Sequence, residues 1–367
     1  MTNQINRRSW IKTGLAGAGM ISLTPSFANI LYDENDEVVR LSHNENPYGP
    51  SPAARDAIIQ SIQKGNRYPR ASISKLKEVI AAKEGCSADN ILITAGSTEI
   101  LGLMGIIHGI QGGNIISGTP TFDYLMSYST NFGSEWVRIP LDRVMYPMKQ
   151  IAEAINEKTE LVFICNPNNP IGTYIQNEEI EADVLAMAKK TNVFIDEAYI
   201  EFTDLGIKNS FAPIAFKNPN VVVGRTFSKI YGMAGLRVGY ALAHKDTIQT
   251  MMKYFMGRMV TPSVTSVEAA TASIQDEAFA RKSKKLNQEA KELVYNHFDQ
   301  WGVQHWKSHT NFIWFKTDQF NTDVRAGLEQ SNVFIRDYDH SPGFARVSVG
   351  TMEEMERFVT GAKKLLT

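Results

Sequence analysis

The chain has 367 residues, 43% of them hydrophobic and 21% charged, enough to bury a large core and to form two domains. Its 38 basic and 39 acidic side chains leave a formal net charge of -1, so no overall field draws it to nucleic acid or to an anionic membrane, and any anion it handles must be met by local groups. Two cysteines, Cys86 and Cys165, cannot make a multi-bridge scaffold and stand in no metal-ligand spacing, so both are read as structural and no metal is expected.

Along the chain, residues 1–28 differ in character from the rest. Asn6-Arg7-Arg8-Ser9-Trp10-Ile11-Lys12 precedes a weakly apolar, Gly/Ala-rich run from Gly14 to Leu23. That run is too short for a membrane span, which needs about 20 apolar residues, and Ser26-Phe27-Ala28 offers a small-x-small cleavage site. The pattern resembles a twin-arginine signal peptide that would send a folded protein to the periplasm; a plain N-terminus carrying two arginines, in a cytoplasmic protein, is the alternative. Residues 29–60 read as an arm, acidic from Asp33 to Glu37 and then extended through the Asn/Pro/Gly-rich stretch Leu41 to Pro52.

From 61 to 260 short apolar runs alternate with amphipathic segments, the pattern of strands crossed over by helices in a mostly parallel sheet. Seven strands are expected, at Ile91 to Thr94, Asn114 to Ser117, Trp136 to Ile139, Leu161 to Cys165, Val193 to Asp196, Val221 to Arg225 and Val238 to Ala243. Helices are expected at Thr98 to Ile110 and Asn177 to Lys190, where apolar residues recur at helical spacing. From 261 to 367 the rhythm changes. A long charged helical region runs through His297, strands follow near Asn311 to Phe315, Val333 to Arg336 and Arg346 to Val349, and Met352 to Leu366 closes as a surface helix. The reading is an α/β protein with a large, mostly parallel seven-stranded domain and a smaller α+β domain.

The residues that carry chemistry cluster at strand ends. Thr226-Phe227-Ser228-Lys229 follows the apolar strand ending at Arg225, with Arg237 eight residues after Lys229. A lysine at the end of a buried strand is costly unless it reacts or pairs, and a partly desolvated amine is the neutral nucleophile that imine chemistry needs. A Ser-Lys dipeptide by itself reads as solvated surface; the neighbours change that. Val193-Phe194-Ile195-Asp196 ends another apolar strand on a carboxylate, where ligands gather in open α/β sheets. Asp196 there either caps the next helix or keeps the nitrogen of a pyridine cofactor protonated, the condition for such a ring to act as an electron sink. Tyr199 is either a core tyrosine or a donor to that cofactor's phenolate oxygen.

Asn166-Pro167-Asn168-Asn169-Pro170-Ile171-Gly172 follows a third strand. Two prolines and a glycine make a rigid turn, common chemistry for asparagine, and it would hold the Asn169 amide where it can reach the same oxygen. Thr94-Ala95-Gly96-Ser97-Thr98-Glu99 joins a strand to a helix. Gly96 allows close backbone approach, and the helix N-terminus with the Ser97 and Thr98 hydroxyls suits a phosphate, although Ser/Thr before a helix is first of all a cap and no Walker lysine follows. Ser228 and Arg237 would complete a phosphate cup from the lysine side, the arginine by a charge-assisted fork.

Taken in this order, these elements resemble the fold-type-I enzymes that depend on pyridoxal 5'-phosphate (PLP), the aspartate aminotransferase superfamily, and within it the histidinol-phosphate aminotransferase family. The resemblance runs from His43-Asn44-Glu45-Asn46-Pro47-Tyr48 through Arg67-Tyr68-Pro69, Asn166 to Gly172, Asp196 to Phe202 and Ser228-Lys229 to Arg346-Val347-Ser348-Val349-Gly350. It implies PLP as cofactor and Lys229 as imine lysine and later as general acid/base. It further places Asp196 at the pyridine nitrogen, Asn169 and Tyr199 at the phenolate oxygen, and Phe122 stacked on the ring where many relatives carry tyrosine. Gly96, Ser97, Thr98, Thr226, Ser228 and Arg237 would hold the phosphate. Tyr68 would reach the phosphate of a neighbouring subunit, which implies a homodimer with shared active sites. Arg346 would fork the substrate carboxylate and Arg336 would bind a second anion, with Asn46 and Tyr48 also on the substrate side. Two arginines at strand ends in surface ion pairs are the bland alternative for Arg336 and Arg346.

The implied reaction passes an amino group from an amino acid or amino-alcohol phosphate to a 2-oxo acid by a ping-pong route. Histidinol phosphate, an aromatic amino acid or another amino acid are the open donors, and a related PLP-dependent decarboxylase is a second enzymatic reading. An exported protein that merely captures small anions with Arg336 and Arg346 is a third. Two other patterns are set aside. His305 and His309 are spaced i, i+4 without HExxH, and Gly14, Gly17 and Gly19 follow no strand and miss the GxGxxG spacing.

Overall fold

Seven short runs dominated by Val, Ile, Leu and Phe line up because a strand buried on both faces needs side chains that pack well above and below it. In the computed structural model, which describes residues 38–257 and 261–366, they are β1 (Ile91–Thr94), β2 (Asn114–Thr119), β3 (Glu135–Pro140), β4 (Thr159–Cys165), β5 (Asn192–Asp196), β6 (Val221–Thr226) and β7 (Gly239–Ala243). The expected export signal and its cleavage site lie outside the described residues. The chain divides between Val39 and Arg40, and the unit from Arg40 onward carries all the elements below.

The sheet has the order β1-β7-β6-β5-β4-β2-β3. All neighbours are parallel except β7, which runs antiparallel to β1 and to β6. Every residue of β1, β6 and β7 is buried, whereas no residue of β3, at the open edge, is fully buried. The main apolar cluster is built on these strands and the helices packed on them, including Ser97–Gly109 and Asn177–Ala188, which begin and end within two residues of the expected bounds.

A second, three-stranded antiparallel sheet joins β8 (Phe312–Lys316), β10 (Arg336–Asp337) and β11 (Phe344–Ser348), with β11 in the middle. The strand expected over Val333 to Arg336 is two pieces, β9 (Val333–Phe334) and β10, separated at Ile335 and belonging to different sheets. The long helical region expected after Thr261 is likewise two helices, Val264–Gln275 and Glu277–Trp301. Asp276 divides them because its carboxylate accepts the Phe279 N–H at 3.0 Å and starts the second helix. The closing helix Met352–Lys364 carries a capping box between Thr351 and Glu354.

The arm is extended where the sequence is rich in Asn and Pro. Leu41 donates to Phe334 O at 2.7 Å and accepts from Ser348 N at 2.7 Å, and Ser51 then caps the helix Pro52–Ser61. Among the described residues, no helix is long and apolar enough to cross a membrane.

Candidate active site

In a mostly parallel sheet the carboxyl ends of the strands share one edge, and the loops leaving that edge build the site. Here β1 delivers Gly96 and Ser97, β2 delivers Phe122, β4 delivers Asn169, β5 ends on Asp196, and β6 ends on Thr226 just before Ser228 and Lys229. The antiparallel β7 brings its first residue to the same edge, with Gly239 registered between Thr94 and Thr226. Arg237 therefore arrives beside Ser228.

The Lys229 amine lies 3.1 Å from Asn44 O and 3.3 Å from His43 O, and 5.5 Å from the centre of the Tyr199 ring. Burial lowers its pKa to about 8, helped by the Arg346 charge and opposed by Glu45 and Asp196. Asp196 is buried, and this raises its carboxyl to about 6 against the pull of the Ala198 N–H and the Lys229 charge. Ala198 N reaches Asp196 Oδ1 at 3.0 Å. The Tyr199 hydroxyl accepts from Asn44 Nδ2 at 2.9 Å, and its ring meets Phe312 edge-on at 5.2 Å.

A donor-lined cup is visible in what its glycines permit. Gly96 has φ 85°, and any side chain there would run into the Arg237 guanidinium; a Cβ on Gly239 would lie 2.6 Å from Gly96 C and Ser97 N. The free N–H groups of the helix Ser97–Gly109, the Thr226 and Ser228 hydroxyls and the Arg237 fork thus converge. Thr226 Oγ1 bonds Ser228 Oγ at 3.0 Å, and Arg237 Nη1 donates to Ser228 Oγ at 3.3 Å and to Ala234 O at 2.9 Å. Arg237 holds φ 54°, a left-handed conformation that a long side chain adopts at a cost and that marks functional positions. Asn44, whose carbonyl faces Lys229, holds φ 54° as well.

The small sheet brings two arginines. Arg346 is buried, donating from Nη1 to Asn169 Oδ1 at 2.6 Å and from Nη2 to Ser42 O at 2.7 Å. Its Nε is buried with no partner among the described residues, a donor left for a ligand. Arg336 stands directly opposite Arg346 in the β10–β11 register, and two like charges so placed repel. An anion between them would remove that cost.

Three expected site residues make no hydrogen bond to the Lys229, Asp196 or Arg346 side chains among the described residues. Tyr68 is 72% exposed. The Asn46 amide is committed to Ile230 O at 2.8 Å and Ser283 Oγ at 3.2 Å, so it ties the arm to the loop after Lys229. Burial and the charges of Glu354 and Glu289 act on Tyr48, and neither carboxylate belongs to the group around Lys229. His305 and His309 pack against Tyr295 and Tyr174, and no cluster of three or more potential metal ligands exists among the described residues.

Sequence reasoning missed two networks. Tyr146 bonds Thr121 Oγ1 at 2.5 Å and accepts from Cys165 N at 3.0 Å, and Thr121 donates to Asn168 Oδ1 at 2.9 Å. This joins the loop carrying Phe122 to the loop carrying Asn169. Nothing around Tyr146 forms a motif. Arg225 is completely buried with Glu197 at 2.8 Å, Glu84 at 3.4 Å and Ser210 at 2.8 Å, bracing the ends of β5 and β6. A charge ending an apolar run, with Glu197 directly after Asp196, was the available signal.

PLP fits this set: an amine held near neutrality, a buried carboxylate, a phenylalanine ring and a donor-lined cup sized by two glycines. The family model for class I and II aminotransferases matches residues 36–361. The histidinol-phosphate aminotransferase 2 of Carboxydothermus hydrogenoformans is 35% identical, covering 89% of this chain and 91% of its own. The histidinol-phosphate aminotransferase of Brevibacillus brevis is 32% identical, covering 90% and 91%. The crystal structure of histidinol-phosphate aminotransferase from Sinorhizobium meliloti in complex with pyridoxal-5'-phosphate shares the fold, with TM-score 0.81 at 23% identity over 95% of this chain and 98% of that one. The chain belongs to the class I and II aminotransferases.

Proposed function

We infer that this member of the class I and II aminotransferases moves an amino group between an amino donor and a 2-oxo acid, and that one substrate carries a second anion, as glutamate and an amino-alcohol phosphate such as histidinol phosphate do. The observation that carries the reading is a lysine brought to about 8 beside a buried aspartate, flanked by a phosphate cup on one side and paired arginines on the other. PLP, when bound, supplies the ring that accepts the electron pair released at the substrate's Cα.

The chain's own groups do the rest. Asp196 would keep a proton on the ring nitrogen, and Tyr199 and Asn169 would hold the phenolate oxygen. Phe122 would pack on the ring face, and Gly96, Ser97, Thr98, Thr226, Ser228 and Arg237 would fix the phosphate. Arg346 orients the substrate carboxylate. The Lys229 amine, with its pKa lowered to about 8, would take up and return the proton of the substrate's Cα as general base and acid. Closing the small sheet over this edge would exclude water while the proton moves.

The assay is direct. The purified holoprotein should change its visible absorbance when glutamate is added and release 2-oxoglutarate. Histidinol phosphate, phenylalanine and tyrosine, each offered with 2-oxoglutarate, then rank the donors by kcat/KM. No absorbance change with any of the four would refute the reading.

Two further points belong to the same proposal. Tyr68, with the exposed Ile59 and Ile62 near it in sequence, supports a homodimer in which Tyr68 serves the partner's phosphate site; light scattering of the purified protein should give twice the chain mass. Arg7-Arg8 and Ser26-Phe27-Ala28 support export to the periplasm after folding with cofactor bound. Mass spectrometry of the mature protein should find its N-terminus just after Ala28, in the periplasmic fraction.

A further inference from the structure

The two opposed arginines are anchored unequally. Arg346 is fixed by hydrogen bonds to Asn169 and Ser42. Among the described residues, the Arg336 side chain makes no hydrogen bond or ion pair, and its contact is the Tyr338 ring, whose centre lies 5.4 Å from the guanidinium carbon. The same ring lies 5.6 Å from the Arg346 guanidinium carbon. Tyr338 directly follows the two-residue strand β10, and its ring comes near both guanidiniums. The ring is itself held, edge-on to Trp314 at 5.3 Å, while Trp314 stacks on Phe344 at 5.3 Å. An aromatic face attracts each guanidinium and so holds together two charges that would otherwise separate.

We propose that Tyr338 is the positioning residue that sets the distance between the Arg336 and Arg346 guanidiniums, and that it thereby selects substrates by the spacing between their carboxylate and a second anion. The inference rests on the reading of these arginines as the two anion sites. Tyr338 has two side-chain torsions and a stack of aromatic rings behind it, so it keeps Arg336 in place without a hydrogen bond. Removing the ring frees Arg336 and leaves Arg346 where Asn169 and Ser42 hold it. The loss is therefore confined to ligands with two anions, which a general packing defect would not produce.

The test uses the holoenzyme and unreactive acids. Succinate and glutarate carry two anions at different spacings, propionate carries one, and each dissociation constant is read from the absorbance of the bound cofactor. With Tyr338→Leu the constants for succinate and glutarate should rise about 5- to 20-fold, with their ratio moving towards one, and that for propionate should stay within about twofold. Tyr338→Phe keeps the ring and should match the unaltered protein. Tyr338→Met serves if the leucine variant does not fold. Equal weakening of propionate and the diacids in the leucine and methionine variants overturns the proposal. Arg336→Gln separates the two levels: weakened diacids there together with unchanged diacids in Tyr338→Leu overturn the role of Tyr338 alone, whereas unchanged diacids in Arg336→Gln overturn the anion reading and the proposal with it.

Discussion

On the proposed reading the cup around Lys229 and the arginine face of the small sheet would each hold an anion, and they are built by opposite means. The cup is made of backbone. Gly96 and Gly239 bring a helix N-terminus and a strand start within van der Waals contact, so the donors point inward before any ligand arrives. On the small sheet the anion sites are side chains, one buried and bonded, the other exposed and leaning on a ring. On that reading chemistry common to all substrates falls to rigid groups, and the choice among substrates to an exposed side chain held by a ring.

The contrast can be broken at several points. The largest effect is expected at Lys229→Ala, which removes both the attachment point and the proton carrier; kcat should fall at least about 10³-fold in single-turnover assays. If a tenth of the rate survives, the lysine is not the base. Arg346→Gln comes next. It should raise KM for every amino donor about 10- to 100-fold, the worth of charged hydrogen bonds to a carboxylate, with no distinction between one- and two-anion substrates. Gly96→Ala should weaken PLP retention by about tenfold in equilibrium dialysis, since the Arg237 guanidinium must move. A neutral result would mean the cup is softer than its backbone.

The smallest effect is a titration. Only the neutral Lys229 amine captures PLP, so the loading rate of stripped protein should climb as pH rises towards about 8 and level off above it. Because the Arg346 charge contributes to that lowering, Arg346→Gln should move the midpoint upward. The same lowering links to stability: between about 8 and the ordinary value of 10.5 the unfolded lysine binds a proton that the folded one does not, so this group's contribution to stability increases with pH across that window.

Much of the cup was legible because each part is local. Thr226 to Lys229, Asp196 and Asn166 to Gly172 each end an apolar run, and strand periodicity alone puts such ends on one edge. What stayed hidden depends on contacts between distant residues. The Tyr146 bond to Thr121 and the register that sets Arg336 against Arg346 leave no trace in spacing, and the Arg225 pairing with Glu197 and Glu84 shows there only as a charge that ends an apolar run. The two helices read as one were joined for a related reason, since the Asp276 break is a single capping side chain inside a continuously helical composition.

Since β7 turns back against β6, Lys229 and Arg237 sit on one hairpin connection, and the Phe227 N–H to Val238 O bond of 3.0 Å closes its neck. The amine and the phosphate fork are therefore brought together by a loop closure of about a dozen residues, a short-range event compared with the crossovers that deliver Asp196 and Asn169. Lengthening that connection would leave both groups present and the sheet intact, yet separate the point of attachment from the point of anchorage.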